Sequence, residues 1–179
     1  MLTRKEVLDK TTNVNYLRGQ IKSLEFKLGR RTHPLYKNAY PEEWHKKLKW
    51  LAKQYGSNYK FNRESHHGMF YFYSSEILLG LNGNKGLYNT RPLIATFCHE
   101  LAHRIQQTIV EKARGRKVYK RSFSNFKECL QYERAAERLA YFLCKEYFSG
   151  INFHHKYFSA YQKEKDLKWL EKHHNYERR

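Results

Sequence analysis

Apolar residues recur at helical intervals in five stretches of this chain and alternate with polar ones in a sixth. The first stretch, residues 1–31, opens with Thr3 and Glu6 at the spacing of a capping box. Val14, Leu17, Ile21, Leu24 and Leu28 then repeat every three or four positions until Gly29. A second helix is expected over residues 41–55, with Trp44, Leu48, Leu51 and Tyr55 inward and Gly56 as its stop. Its outer face is read as Lys46, Lys47, Lys49 and Lys53. Between residues 58 and 82 the period falls to about two, which predicts short antiparallel strands over 59–63, 69–73 and 76–81. Asn82-Gly83 and Lys85-Gly86 are turn pairs that return the chain to helical texture.

The next helix is predicted from a cap at Thr90, with Pro92 in its first turn, to Gly115 beyond its end. Ile94, Phe97, Cys98, Leu101, Ile105 and Thr108 make one stripe. Thr96, His99, Glu100, His103, Gln106 and Gln107 make the opposite one. A solvated face on so basic a chain would carry lysine and arginine, so this neutral polar face reads as the wall of a cleft. Within it stands His99-Glu100-Leu101-Ala102-His103. Two histidines four apart on a helix point to one side and suit two ligands of a tetrahedral zinc, with the glutamate beside the metal as general base. The competing reading is a chance match on a solvated helix.

A further helix is predicted over residues 126–148, with Asn125 and Glu128 as a capping box and Gly150 as the stop. Its apolar stripe runs Phe126, Cys129, Leu130, Ala136, Ala140, Leu143, Cys144 and Tyr147. Glu133 and Glu137 interrupt that stripe. A buried carboxylate is costly unless paired or bound to a metal, so these two either meet arginines of neighbouring helices or serve the histidine pair. His66 and His67 lack helix-pair spacing and are read as surface residues.

The histidine motif, followed some thirty residues later by Glu133-Arg134-Ala135-Ala136-Glu137, resembles a gluzincin-type zinc metallopeptidase and is most similar to the ImmA/IrrE group. The resemblance covers about residues 66–150. It implies a zincin-like fold, with His99, His103 and Glu133 as zinc ligands, Glu100 as catalytic base, and Glu137 holding a zinc histidine in place. Two positions depart from that group: Glu137 stands where Asn or Asp is usual, and Arg104 is charged where such motifs carry an uncharged residue.

Composition adds three points. The chain of 179 residues is one domain's worth. It divides into a helical layer (1–57), a zincin-like core (58–150) and a basic helical tail (151–179). Three cysteines, Cys98, Cys129 and Cys144, are an odd count on helix faces. They read as buried thiols in a reducing compartment, hence a cytoplasmic protein, and no signal peptide or membrane span is expected. The formal charge of +18, from 35 Lys and Arg against 17 Asp and Glu, predicts attraction to polyanions such as nucleic acid or an acidic protein. The link over residues 111–127 concentrates it: Arg114, Arg116, Lys117, Lys120 and Arg121 are candidate nucleic-acid contacts near the rim of the cleft.

The reading is therefore a single α+β domain, a small antiparallel sheet packed on the motif helix and a second ligand helix, with flanking helices. Its expected activity is zinc-dependent hydrolysis of a protein substrate. A SprT-like protease acting on DNA-bound proteins is the nearest alternative, but the third histidine it requires is missing between His103 and His154. A basic nucleic-acid-binding protein without catalysis is the third reading, and an intact Glu100 argues against it.

Overall fold

The computed structural model describes residues 2–27, 44–62, 68–80, 90–117, 123–159 and 163–173. Within them the chain is a mixed α+β fold, mostly helical, with six α-helices and one three-stranded sheet. The helices are α1 (Arg4–Thr12), α2 (Val14–Lys27), α3 (Trp44–Gln54), α4 (Thr90–Arg114), α5 (Phe126–Tyr147) and α6 (Glu164–His173). The strands are β1 (Asn58–Asn62), β2 (Met69–Tyr71) and β3 (Glu76–Gly80).

The N-terminal stretch is two helices rather than one periodic run. Thr3 accepts from the Glu6 N–H, and Glu6 Oε2 accepts in return from the Thr3 N–H at 2.7 Å, the capping box the spacing predicted. The break comes at Asn13, whose backbone is extended and whose side-chain oxygen accepts from the Tyr16 N–H at 3.1 Å. One asparagine thus ends α1 and caps α2. Gly29 and the turn pairs at 82–86 lie outside the described residues, as do His66 and His67.

In α3, Trp44, Leu48, Leu51 and Tyr55 are buried as expected. Lys47 corrects the expected outer face: it is 3 % exposed, while Lys46, Lys49 and Lys53 are open to solvent. Its position explains this, since 44, 47, 48 and 51 form one helical stripe whatever residue occupies the second of them. The ammonium lies 5.1 Å from the centre of the Phe148 ring, and burial pushes its pKa down to about 8.

The sheet is mixed, which corrects the antiparallel expectation. Its order is β1-β3-β2, with β1 parallel to β3 and β2 antiparallel to it. The continuous apolar run Ile77-Leu78-Leu79 makes β3 the central strand, paired along both edges. The hairpin at 72–75 fills one edge with β2, and β1 takes the other, running in the same sense as β3. Ser57 donates to the Ser75 carbonyl, tying the start of β1 to that hairpin.

Helices α4 and α5 form the central pair, with α1 across both, α2 on α5, and the sheet on α4. Leu17, Ile21, Leu48, Leu51, Ile77, Leu79, Phe97, Leu101, Leu139 and Leu143 pack into one core. A smaller cluster of Phe123, Cys129, Tyr132 and Leu170 joins α6 to the start of α5. Helix α4 starts at Thr90 and ends where Gly115 turns to φ 65°. Arg114 is thus its last residue. Among the described residues no helix is long and apolar enough to cross a membrane.

Candidate metal centre

Helix α4 is buried on nearly all sides, so its polar face is more interior than a cleft wall. Glu100 is 7 % exposed, His103 1 %, Gln106 0 % and Gln107 1 %. The His99 side chain alone of this group keeps appreciable access, at 18 %. Across from it α5 presents Glu133 and Glu137, both buried on the stripe where the sequence placed them. Asn125 caps that helix by accepting from the Glu128 N–H at 2.9 Å. The reciprocal half of the predicted box is displaced by one residue, because the Glu128 carboxylate accepts from the Ser124 N–H at 2.8 Å and pairs with Arg4 at 3.2 Å.

His99, His103 and Glu133 bring three ligand atoms together and can hold a metal ion. His103 Nε2 lies 3.1 Å from His99 Nε2 and 3.0 Å from Glu133 Oε2, and the third side, His99 Nε2 to Glu133 Oε2, is 3.3 Å. Zinc bound tetrahedrally at about 2.0–2.1 Å separates its ligand atoms by about 3.3 Å. The triangle is thus the size of one face of such a tetrahedron, and the fourth vertex belongs to no residue of this group.

The hydrogen bonds around His103 define which nitrogen faces the triangle. Gln106 Nε2 donates to the Thr11 carbonyl at 2.8 Å and to the Tyr132 carbonyl at 3.1 Å. Both are acceptors, so the amide nitrogen must face them and Gln106 Oε1 must face His103 Nδ1, 2.9 Å away. An amide oxygen only accepts, so Nδ1 carries a proton and Nε2 points inward. The Tyr132 ring lies parallel to the imidazole, 4° between planes and 5.4 Å between centres.

Charge in the site is unbalanced toward the negative. Burial works against protonation of His99, but its hydrogen bond with Glu133 and the charges of Glu100, Glu133 and Glu137 outweigh this and raise its pKa. A pocket that holds a proton on these grounds also favours a divalent cation.

Three neighbours complete the frame. Arg104, which follows the motif directly, turns away from the histidine pair: it donates to the Tyr55 carbonyl, to Gln107 and to Glu111, each at 3.0 Å. It therefore ties α4 to the end of α3. Gln107 Nε2 donates to the Phe72 carbonyl at 3.1 Å and holds the hairpin against the same helix. Gly68, just before β2, runs hard against α4: a Cβ there would collide with the Thr96 methyl and sit 3.2 Å from Glu100 Oε1. Edge strand β2 consequently starts beside the Glu100 carboxylate, with Met69 and Tyr71 exposed and Phe70 buried.

Of the expected site residues, His99, Glu100, His103, Glu133 and Glu137 come together at the α4–α5 contact. Cys129 belongs instead to the small cluster with Phe123, and Cys98, Cys129 and Cys144 are all buried thiols outside any disulfide. Arg114, Arg116 and Lys117 are exposed at the end of α4, and Lys120 and Arg121 lie outside the described residues. Gln106 and Tyr132 are site residues whose roles sequence reasoning missed. The signal for Gln106 was its place one turn after His103 on the polar face. Comparison with family profiles, with characterised proteins and with solved structures finds no match to this chain.

Proposed function

We propose that the protein is a zinc metallopeptidase with zincin-like packing of its sheet and two ligand helices, acting on a polypeptide substrate. The observation that carries this reading is the triangle of His99 Nε2, His103 Nε2 and Glu133 Oε2, with sides of 3.0–3.3 Å. Its size fits zinc, and three protein ligands with a free fourth position are the arrangement of catalytic rather than structural zinc sites.

Zinc held there would supply a Lewis acid that lowers the pKa of water to about 7. Glu100, next to His99 and turned toward the start of β2, takes up the proton released when water attacks the carbonyl carbon. It then delivers that proton to the departing amine, so one carboxylate serves both halves of the reaction. A substrate extended along β2 passes this carboxylate, and backbone pairing along a strand edge is a common way to hold a peptide straight. Exposed Met69 and Tyr71 offer it an apolar surface.

Two measurements test the proposal together: zinc content of the purified chain, and hydrolysis of unfolded protein substrates by wild type and Glu100→Gln. The expected result is one zinc in both and cleavage by wild type alone. Equal cleavage by both proteins would overturn the role of Glu100.

A further inference from the structure

We infer that Gln106 is the positioning residue of the metal centre: it fixes the protonation pattern of His103 and ties metal retention to the docking of the first helix. The inference rests on the metal-site reading and adds to it a residue outside the ligand set. Two acceptors flank the His103 ring, Gln106 Oε1 at 2.9 Å from Nδ1 and Glu133 Oε2 at 3.0 Å from Nε2. A neutral imidazole has one proton to give. Against an ionised carboxylate the proton would go to Nε2, because a charged acceptor makes the stronger bond. That tautomer points an N–H into the triangle and blocks a metal.

Gln106 forbids it. Its amide cannot turn over, because the nitrogen is anchored on the Thr11 and Tyr132 carbonyls in a fully buried position. Reversal would set oxygen against oxygen twice and take this donor from both buried carbonyls, which is costly away from water. With Oε1 fixed, an unprotonated Nδ1 would face it lone pair to lone pair. The neutral ring must therefore be Nδ1–H, which turns the Nε2 lone pair inward, toward His99 Nε2 at 3.1 Å and Glu133 Oε2 at 3.0 Å. A proton on His99 Nε2 or a metal ion satisfies these atoms, and a metal that displaces the proton finds the His103 lone pair already turned inward.

The anchor adds the coupling. Thr11 is the penultimate residue of α1, among the last carbonyls that a helix leaves without an internal partner. Gln106 supplies its donor, so α1 is fastened to His103 through a single side chain.

The test uses the full chain with ¹⁵N-labelled histidine, read by long-range proton–nitrogen correlation at a pH where the His103 ring is neutral. In metal-free wild type we expect Nδ1 to carry the proton. A neutral ring protonated at Nε2 would overturn the inference, and that spectrum needs no variant. Gln106→Leu should move the proton to Nε2 and weaken zinc binding by about 10- to 100-fold in a chelator competition. Gln107→Leu is the matched control, equally buried and bonded to Phe72 rather than to His103. It should leave the tautomer and zinc affinity unchanged. Equal weakening by both substitutions would reduce Gln106 to general packing and overturn the inference while the metal reading stands. Absence of zinc binding by wild type would overturn the metal reading, and this inference with it.

Discussion

His103 Nε2 and Glu133 Oε2 face each other at 3.0 Å, the imidazole on α4 and the carboxylate on α5, thirty residues apart in the chain. Both atoms are buried, and His99 Nε2 completes the group from one turn earlier on α4. The two central helices are thus joined at a point where two nitrogens and an oxygen converge on a space the size of a metal ion.

Glu133 and Glu137 share one face of α5 but differ in what they touch. Glu133 Oε2 lies within 3.3 Å of both ligand nitrogens, whereas Glu137 acts on His99 through its charge. Glu133→Ala is expected to abolish tight zinc binding, and Glu137→Ala to weaken it by about 10- to 100-fold. Competition with a fluorescent chelator measures both. Full zinc retention by Glu133→Ala would remove it as third ligand.

Zinc binding should weaken in acid, with the loss set by His99. Its pKa is raised, so the proton stays on the ring to higher pH than on an ordinary histidine and competes with the metal over that wider range. Zinc affinity is expected to fall steadily as pH drops from about 8 to about 5.5, across the ordinary titration range of histidine. An affinity flat over that range would contradict the assignment of His99.

Lys47 yields a stability prediction independent of the metal. Its folded pKa of about 8 lies below the ordinary 10.5, so between those values the unfolded chain binds more protons. Stability should therefore rise as pH increases through that window, because the buried ammonium becomes a neutral amine. Lys47→Met should raise stability at pH 7 by on the order of 1–3 kcal/mol and flatten the rise. Urea unfolding at about pH 7 and pH 10 reads both. Lower stability of Lys47→Met at pH 7 would show that the ammonium makes compensating contacts.

Gly68 separates strand placement from chemistry. Gly68→Ala forces a methyl into the Thr96 side chain and toward Glu100 Oε1. It should cost about 1–3 kcal/mol of stability, as overpacking does. Gly68→Ala combined with Thr96→Ala removes the collision and should recover much of the stability while leaving activity low, because the Glu100 contact remains. Full recovery of activity in the pair would show that Gly68 serves packing alone.

Much of this architecture is legible in the chain because the signals are local. The motif spacing, the caps at Thr3 and Asn125, and the carboxylates set into the apolar stripe of α5 need only helix geometry. The three strands also fall close to their predicted positions. Their pairing does not follow from alternation: period two sets which face each side chain takes and carries no strand direction, so a parallel β1–β3 contact looks the same as an antiparallel one. Lys47 was misread because its charge was weighed above its position on the stripe. Gln106 shows by period only that it lies one turn after His103 on the polar face, since its role depends on Thr11, Tyr132 and His103 meeting across three helices. Arg104, directly after the motif, is explained only by the tertiary contact with the end of α3.

The most direct test of the central claim is an anomalous-scattering map collected at the zinc absorption edge from crystals of the zinc-loaded protein. One strong peak is expected about 2.0–2.1 Å from His99 Nε2, His103 Nε2 and Glu133 Oε2, with no fourth protein ligand. A peak held elsewhere, a fourth side chain closing the coordination, or no peak at these three residues would contradict it.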